Sequence, residues 1–238
     1  MVEMARKVLD RLPLQGDEVV LDAGCGTGRV TALLLERLPS GRVLAVDADE
    51  AMVRACRETL APFGDRVDVC HVDLLALDLV DAVDAVLSTA TFHWVIDHDA
   101  LFATLWRALR SGGRLVAQCG GAGNIVSVLR AADDATSLPR WSARFDGWVR
   151  PTVYATAEET AERLARAGFV DVSCWLEPNP VVPDDPRSYL GTIAIGAHLQ
   201  RLDGESDRAA FLDEVLARLE APVTIDYVRL NIDARRPT

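Results

Sequence analysis

Val20–Gly28 reads VLDAGCGTG and turns an apolar run into a helical one. Before it, Glu18–Asp22 (EVVLD) has the pattern of a short buried strand. After it, Val30–Leu38 (VTALLLERL) has helical spacing and is stopped by Pro39-Ser40-Gly41. Glycines at 24, 26 and 28 allow a tight turn and let a ligand approach bare backbone. A phosphate-gripping P-loop needs a lysine after its glycines, and none follows here. A dinucleotide fingerprint needs a third small residue where this chain has Arg29. The GxGxG spacing instead suits a ligand without a phosphate on the loop.

Working outward, strands and helices alternate. Arg42–Asp47 is a second strand, and Asp49 is placed to cap a helix running to Leu60. Val67–Val72, Ala85–Ser88 and Arg114–Cys119 read as third, fourth and fifth strands. Leu101, Phe102, Leu105 and Leu109 mark a helix between the last two, stopped at Ser111-Gly112-Gly113. Ahead of the loop, Met1–Leu12 places Ala5, Val8, Leu9 and Leu12 on one helical face. Such alternation requires crossover connections. The expected fold is therefore α/β, a doubly wound, Rossmann-like parallel sheet with its ligand crevice at the strands' carboxyl ends.

Beyond residue 120 the pattern loosens. Helices are expected at Ile125–Ala135, Glu158–Ala167, Ser188–Leu202 and Asp207–Leu219, with a strand at Val170–Trp175. Thr224–Asp233 alternates, Val228, Leu230 and Ile232 opposing Tyr227, Arg229 and Asn231, as in a half-exposed antiparallel strand. We read residues 1–238 as one domain, with 17–120 the binding core and 121–156 and 178–222 inserts covering a substrate.

The 238 residues carry 25 Lys+Arg against 36 Asp+Glu, a net charge of −11. That balance argues against nucleic acid as a partner, since gripping phosphates needs a basic surface. No apolar stretch is long enough to span a membrane, and no leader pattern opens the chain. Five widely spaced cysteines, without a CxxC pair, suit reduced thiols in the cytoplasm. The four histidines do not join them at metal-ligand spacing, so no metal site is expected.

Two aspartates sharpen the ligand. Asp47 ends the second strand and Asp73 follows the third, in HVDLL. Each has two readings: a helix cap, or an acceptor of ligand hydrogen bonds, Asp47 from ribose hydroxyls and Asp73 from an adenine amine. The ordered pieces VLDAGCGTG, AVDADEAM, HVDLL, DAVLSTATFHWV and LRSGGRLVAQ resemble class I S-adenosylmethionine-dependent methyltransferases over residues 19–119. The resemblance implies a seven-stranded sheet of order 3-2-1-4-5-7-6 with strand 7 antiparallel, and S-adenosyl-L-methionine as cofactor. It places the methionine part on Asp22, Gly24, Cys25, Gly26 and Gly28 and the ribose on Asp47. Ala48, Met52, Asp73 and Leu74 would surround the adenine, and Ser88 completes the cofactor set. The family often closes its cleft with a longer N-terminal segment. The short stretch before the first strand thus implies a short lid, or a reading frame that starts further upstream.

Ser88–Val95 (STATFHWV) lies at the switch point, where residues face the transferred methyl. His93 is a base, an orienting donor or a packed side chain, and Trp94 a pocket wall or core. The string from Phe92 to His98 is similar to trans-aconitate methyltransferases and more weakly to malonyl carrier-protein and insect juvenile-hormone-acid methyltransferases. By that likeness the partner is a small-molecule acceptor, methylated on a carboxylate oxygen. The alternative is a cofactor-binding protein with a non-methylating role, pericyclase-like or regulatory. Arg140, Arg144 and Arg201 are candidate carboxylate clamps, because guanidinium grips carboxylate in a fork. Trp141, Trp148 and Tyr154 either wall the acceptor pocket or form a small core under a loop.

Overall fold

The computed structural model describes residues 2–238, leaving Met1 outside. The chain runs α1 (Val2–Arg11), β1 (Val19–Ala23), α2 (Arg29–Glu36), β2 (Arg42–Asp47), α3 (Glu50–Leu60), β3 (Val67–His71) and β4 (Val83–Thr89). It continues through α4 (His98–Ala108), β5 (Leu109–Gly120), α5 (Val126–Thr136), α6 (Ser142–Phe145), α7 (Ala157–Ala167) and β6 (Val170–Pro178). Helices α8 (Pro186–Tyr189), α9 (Gly196–Leu199) and α10 (Gly204–Leu216) precede the last strand, β7 (Val228–Arg235).

The seven strands form one sheet, β3-β2-β1-β4-β5-β7-β6. Strands β1 to β5 pair in parallel, and β7 runs antiparallel to both β5 and β6. Strand periodicity divides the apolar side chains between two faces. Val20, Val43, Ala45, Ala85, Leu87 and Val116 pack under α1–α3. Leu21, Ala23, Val46, Val86, Leu115 and Ala117 pack with Leu101, Phe102 and Leu105 of α4 and Leu164 of α7. The inserts hold a third core of their own, built on Trp141, Phe145 and Phe211. No helix among the described residues is long and apolar enough to cross a membrane.

The single helix expected at Ser188–Leu202 is broken into α8 and α9, and the strand expected at Thr224–Asp233 begins only at Val228 and runs to Arg235. Three further differences bear on the sheet. Strand β4 begins two residues before Ala85 and takes in Asp84. That carboxylate is held by Arg110 Nη1 at 2.7 Å and the Val19 N–H at 2.8 Å, so a charge is tolerated in the strand. Ser111-Gly112-Gly113 does not end a helix; it lies inside β5, opposite a register shift between Val83 and Ala85. The polar side of β7 is not uniformly solvated: Asn231 is fully buried. Arg11 of α1 donates to Asn231 Oδ1 and to the Ala117 carbonyl, and pairs with Asp233 at 3.3 Å. A polar alternation shows that two faces differ, whereas the helix laid across one of them decides which is wet.

Candidate active site

The glycine loop is tied down from three sides. The Gly24 and Cys25 N–H groups both donate to the Val46 carbonyl of β2 at 2.9 Å. Thr91 Oγ1 donates to the Gly24 carbonyl at 3.2 Å. Asp47 receives the Gly26 N–H at 2.8 Å on one oxygen and the Asp49 N–H at 2.9 Å on the other. Gly26 has φ 53° with open space where a Cβ would stand, so its backbone faces the cleft bare.

A cleft of about 920 Å³ starts at this loop. It brings together Gly24, Gly26, Asp47, Ala48, Met52, Asp73 and Leu74 of the expected cofactor set. Asp47 and Asp73 point two carboxylates at it. Asp73 also accepts the Leu75 N–H at 2.8 Å through Oδ1, so its capping and ligand readings are compatible. Asp49 caps α3 by accepting from Ala51 and Met52. Met52, Leu75, Trp94 and Ile96 line the cleft and are among the nine large hydrophobic side chains left exposed in the described structure. Exposed apolar plates beside two hydrogen-bond acceptors suit a flat, amine-bearing base joined to a diol. These residues thus fit S-adenosylmethionine.

Other members of that set lie elsewhere. Cys25 borders a neighbouring hollow of about 270 Å³ beneath the loop, with Ala5 of α1 and Gly24. Asp22 is 1% exposed and lines neither space; its carboxylate accepts the Thr31 hydroxyl at 2.6 Å. Burial pushes its pKa up to about 6, and the Asp47 charge adds to the rise. Gly28, at φ 80°, packs against Cys56 and Leu60. Ser88 is buried and donates to the Ala23 carbonyl at 2.6 Å. These three act on the loop from behind.

Beyond Ala90 the space continues into a pocket of about 170 Å³ between the sheet and the inserts, where His93, Trp94, Tyr154, Tyr227, Arg150 and Arg229 stand. Ala90 borders this pocket, the cleft and the hollow, and holds φ 57°, a left-handed conformation alanine rarely adopts. His93 is 8% exposed, and its Nδ1 accepts the Gly120 N–H at 3.3 Å. That bond assigns the remaining ring proton to Nε2. Burial lowers the His93 pKa to about 4, helped by the Arg229 charge and by His98. His93 is therefore a neutral donor at pH 7, with its basic nitrogen already engaged. Tyr154 stacks on it with centroids 5.7 Å apart.

The arginine candidates need correcting. Arg140 and Arg144 both pair with Asp207, and Arg201 donates to the Arg144 carbonyl; none of the three lines the pocket. Trp141 and Trp148 belong to the core of the inserts, while Tyr154 faces the pocket. Arg150 and Arg229 are the arginines at the pocket, and sequence reasoning missed both. Arg229 was visible only as one polar tooth of an alternating strand. Among the described residues no cluster of His, Cys, Asp or Glu could hold a metal ion.

A family profile described as "Methyltransferase domain" matches residues 20–113. A trans-aconitate 2-methyltransferase from Azoarcus sp. (strain BH72) is 40% identical over 114 residues, 48% of this chain and 44% of that protein. The one from Deinococcus radiodurans is 31% identical across 98% of this chain and 92% of its own length. A malonyl-[acyl-carrier protein] O-methyltransferase from Geobacter sulfurreducens is 34% identical over 80% of this chain and 71% of its own. Among solved structures, a Haemonchus contortus phosphoethanolamine N-methyltransferase with S-adenosylhomocysteine superposes on 99% of this chain and 53% of its own. Its TM-score is 0.65 at 19% identity.

Proposed function

The chain belongs to the class I S-adenosylmethionine-dependent methyltransferases, and on that footing we propose that it methylates a carboxylate oxygen of a small organic acid. The observation carrying this reading is the pocket beyond Ala90. Among the described residues it is lined by two arginines, by no aspartate or glutamate, and by two histidines, His93 with its Nδ1 occupied and His198 with its pKa lowered by burial to about 4. Such a wall favours an anion, and His93 has no free basic nitrogen to serve as a general base. A carboxylate needs none, because it is already ionised at pH 7. The activities for which the Azoarcus, Deinococcus and Geobacter relatives are named support the same substrate class.

The cofactor supplies a methyl group made electrophilic by its sulfonium. The protein's part is approach, alignment and dryness, which can lower a barrier by about 7–11 kcal/mol. Asp47 and Asp73 hold the nucleoside end, and the loop backbone receives the other end. His93 offers its Nε2–H to an acceptor oxygen, while Tyr154 and Trp94 flank the imidazole.

Incubation with methyl-labelled cofactor and a panel of organic acids should give alkali-labile methyl esters. Labelling confined to phenols, amines or carbon would overturn the reading. A second expectation concerns pH. The folded pKa of His93 is depressed, so the imidazole stays neutral as pH falls through the usual histidine range and protonates only near pH 4. Accordingly kcat/KM should be flat from about pH 6 to 8, with loss on the acid side only. His93→Ala should cost roughly 10-fold, the scale of one neutral hydrogen bond, rather than the 10²–10⁴ of a lost base. An alkaline-rising profile that vanishes in His93→Ala would show base catalysis instead.

A further inference from the structure

Arg229 and Ala90 are the two residues that border both the hollow beneath the glycine loop and the pocket beyond Ala90. The guanidinium thus stands where the reactive end of the cofactor and the acceptor must meet. Among the described residues Arg229 makes no ion pair, and its Nε is buried without a hydrogen-bond partner. Glu177 lies opposite it across the β6–β7 ladder and borders a small hollow with it, but makes no ion pair with it; its carboxylate accepts Asn231 Nδ2 at 3.3 Å. The contrast with Arg150 is direct, since Asp133 holds that guanidinium through both oxygens at 2.6 and 2.7 Å. The Tyr227 ring lies 4.1 Å beneath the Arg229 guanidinium and limits its rotamers. A half-buried, pre-oriented cation with no carboxylate in ion-pair contact among the described residues is free to take an anionic ligand.

We infer that Arg229 seats the acceptor's reacting carboxylate, making it the binding residue that sets specificity for acids. This rests on the carboxylate reading above. A guanidinium fork fixes the plane of a carboxylate and leaves an outward lone pair free to meet the methyl. The fork would grip the two oxygens from one side while His93 donates from another. An acceptor without negative charge would leave the cation as unpaired as it is now, so discrimination against neutral analogues follows from the same geometry.

The test uses the full chain and an acid identified by the labelling panel. Arg229→Met keeps the apolar stem and removes the fork. It should raise the acceptor KM and lower kcat/KM by roughly 50-fold. Arg229→Lys should recover part of that loss, as a point charge without a fork. Calorimetry on enzyme saturated with S-adenosylhomocysteine adds a readout independent of turnover. Wild type should bind the acid far more tightly than its primary amide, and Arg229→Met should bind the two alike. S-adenosylmethionine affinity and melting temperature should be unchanged in both variants. Weakened cofactor binding in Arg229→Met would overturn the inference, because the guanidinium would then be serving the cofactor's own carboxylate. A change in kcat/KM under about 3-fold would overturn it too. Either result leaves the carboxylate reading standing, whereas a wild-type enzyme that forms no ester removes both.

Discussion

Asp47→Ala should weaken S-adenosylmethionine binding on the order of 100-fold, measured by calorimetry on the purified protein. Asp47 lines the cleft, and on the proposed reading its carboxylate would accept from the hydroxyls of a ribose. Charge-assisted hydrogen bonds contribute about 1.5–3 kcal/mol each, and water recovers only part of that when the carboxylate is removed. The substitution also frees the Gly26 and Asp49 N–H groups, which Asp47 now holds at 2.8 and 2.9 Å. The loop therefore loses its tie to the end of β2 together with the ribose acceptor. Asp47→Asn keeps one acceptor oxygen and should fall between the two proteins. An alanine variant that binds within about 3-fold of wild type would remove Asp47 from the cofactor site.

Gly24→Ala should be more damaging still, because it attacks the backbone that Asp47 only steadies. An added Cβ would lie 2.1 Å from Thr91 Oγ1 and 2.2 Å from its Cγ2, inside any permitted contact. Gly24 also holds φ 88°, where a Cβ alone costs about 1–2 kcal/mol. Displacing Thr91 breaks its hydrogen bond to the Gly24 carbonyl and moves the segment carrying His93 and Trp94. We expect a loss of about 3 kcal/mol in stability, seen as a melting temperature lower by roughly 6–12 °C. Cofactor binding should become undetectable. Adding Thr91→Ala should relieve the clash but not the backbone strain, so recovery should be partial. A Gly24→Ala protein with unchanged melting and cofactor affinity would show that loop and switch segment are not packed together as described.

Much of this was legible in the residues, for a physical reason. Strand and helix periods are local, and the glycine spacing states a backbone requirement that no neighbour can alter. VLDAGCGTG, Asp47 and HVDLL therefore pointed to one cleft, which residues of all three line, and Asp49 to its helix cap. Asp22 and Ser88 were assigned to the cleft and instead sit behind the loop, held by Thr31 and the Ala23 carbonyl. A strand-end residue can face either way, and the sheet's twist and its covering helices choose.

The acceptor side was almost silent. Arg140, Arg144 and Arg201 resembled Arg229 in type and differed only in having Asp207 or a carbonyl within reach. His93 could have been base or donor until the Gly120 N–H was seen to occupy its Nδ1. Charge pairing, tautomer and burial depend on what distant parts of the chain bring alongside. The chain's local patterns determined the fold and brought the glycine loop, Asp47 and Asp73 to one cleft. Packing of residues more than a hundred positions apart, such as Ala90 and Arg229, decided which side chains line the pocket beside that cleft.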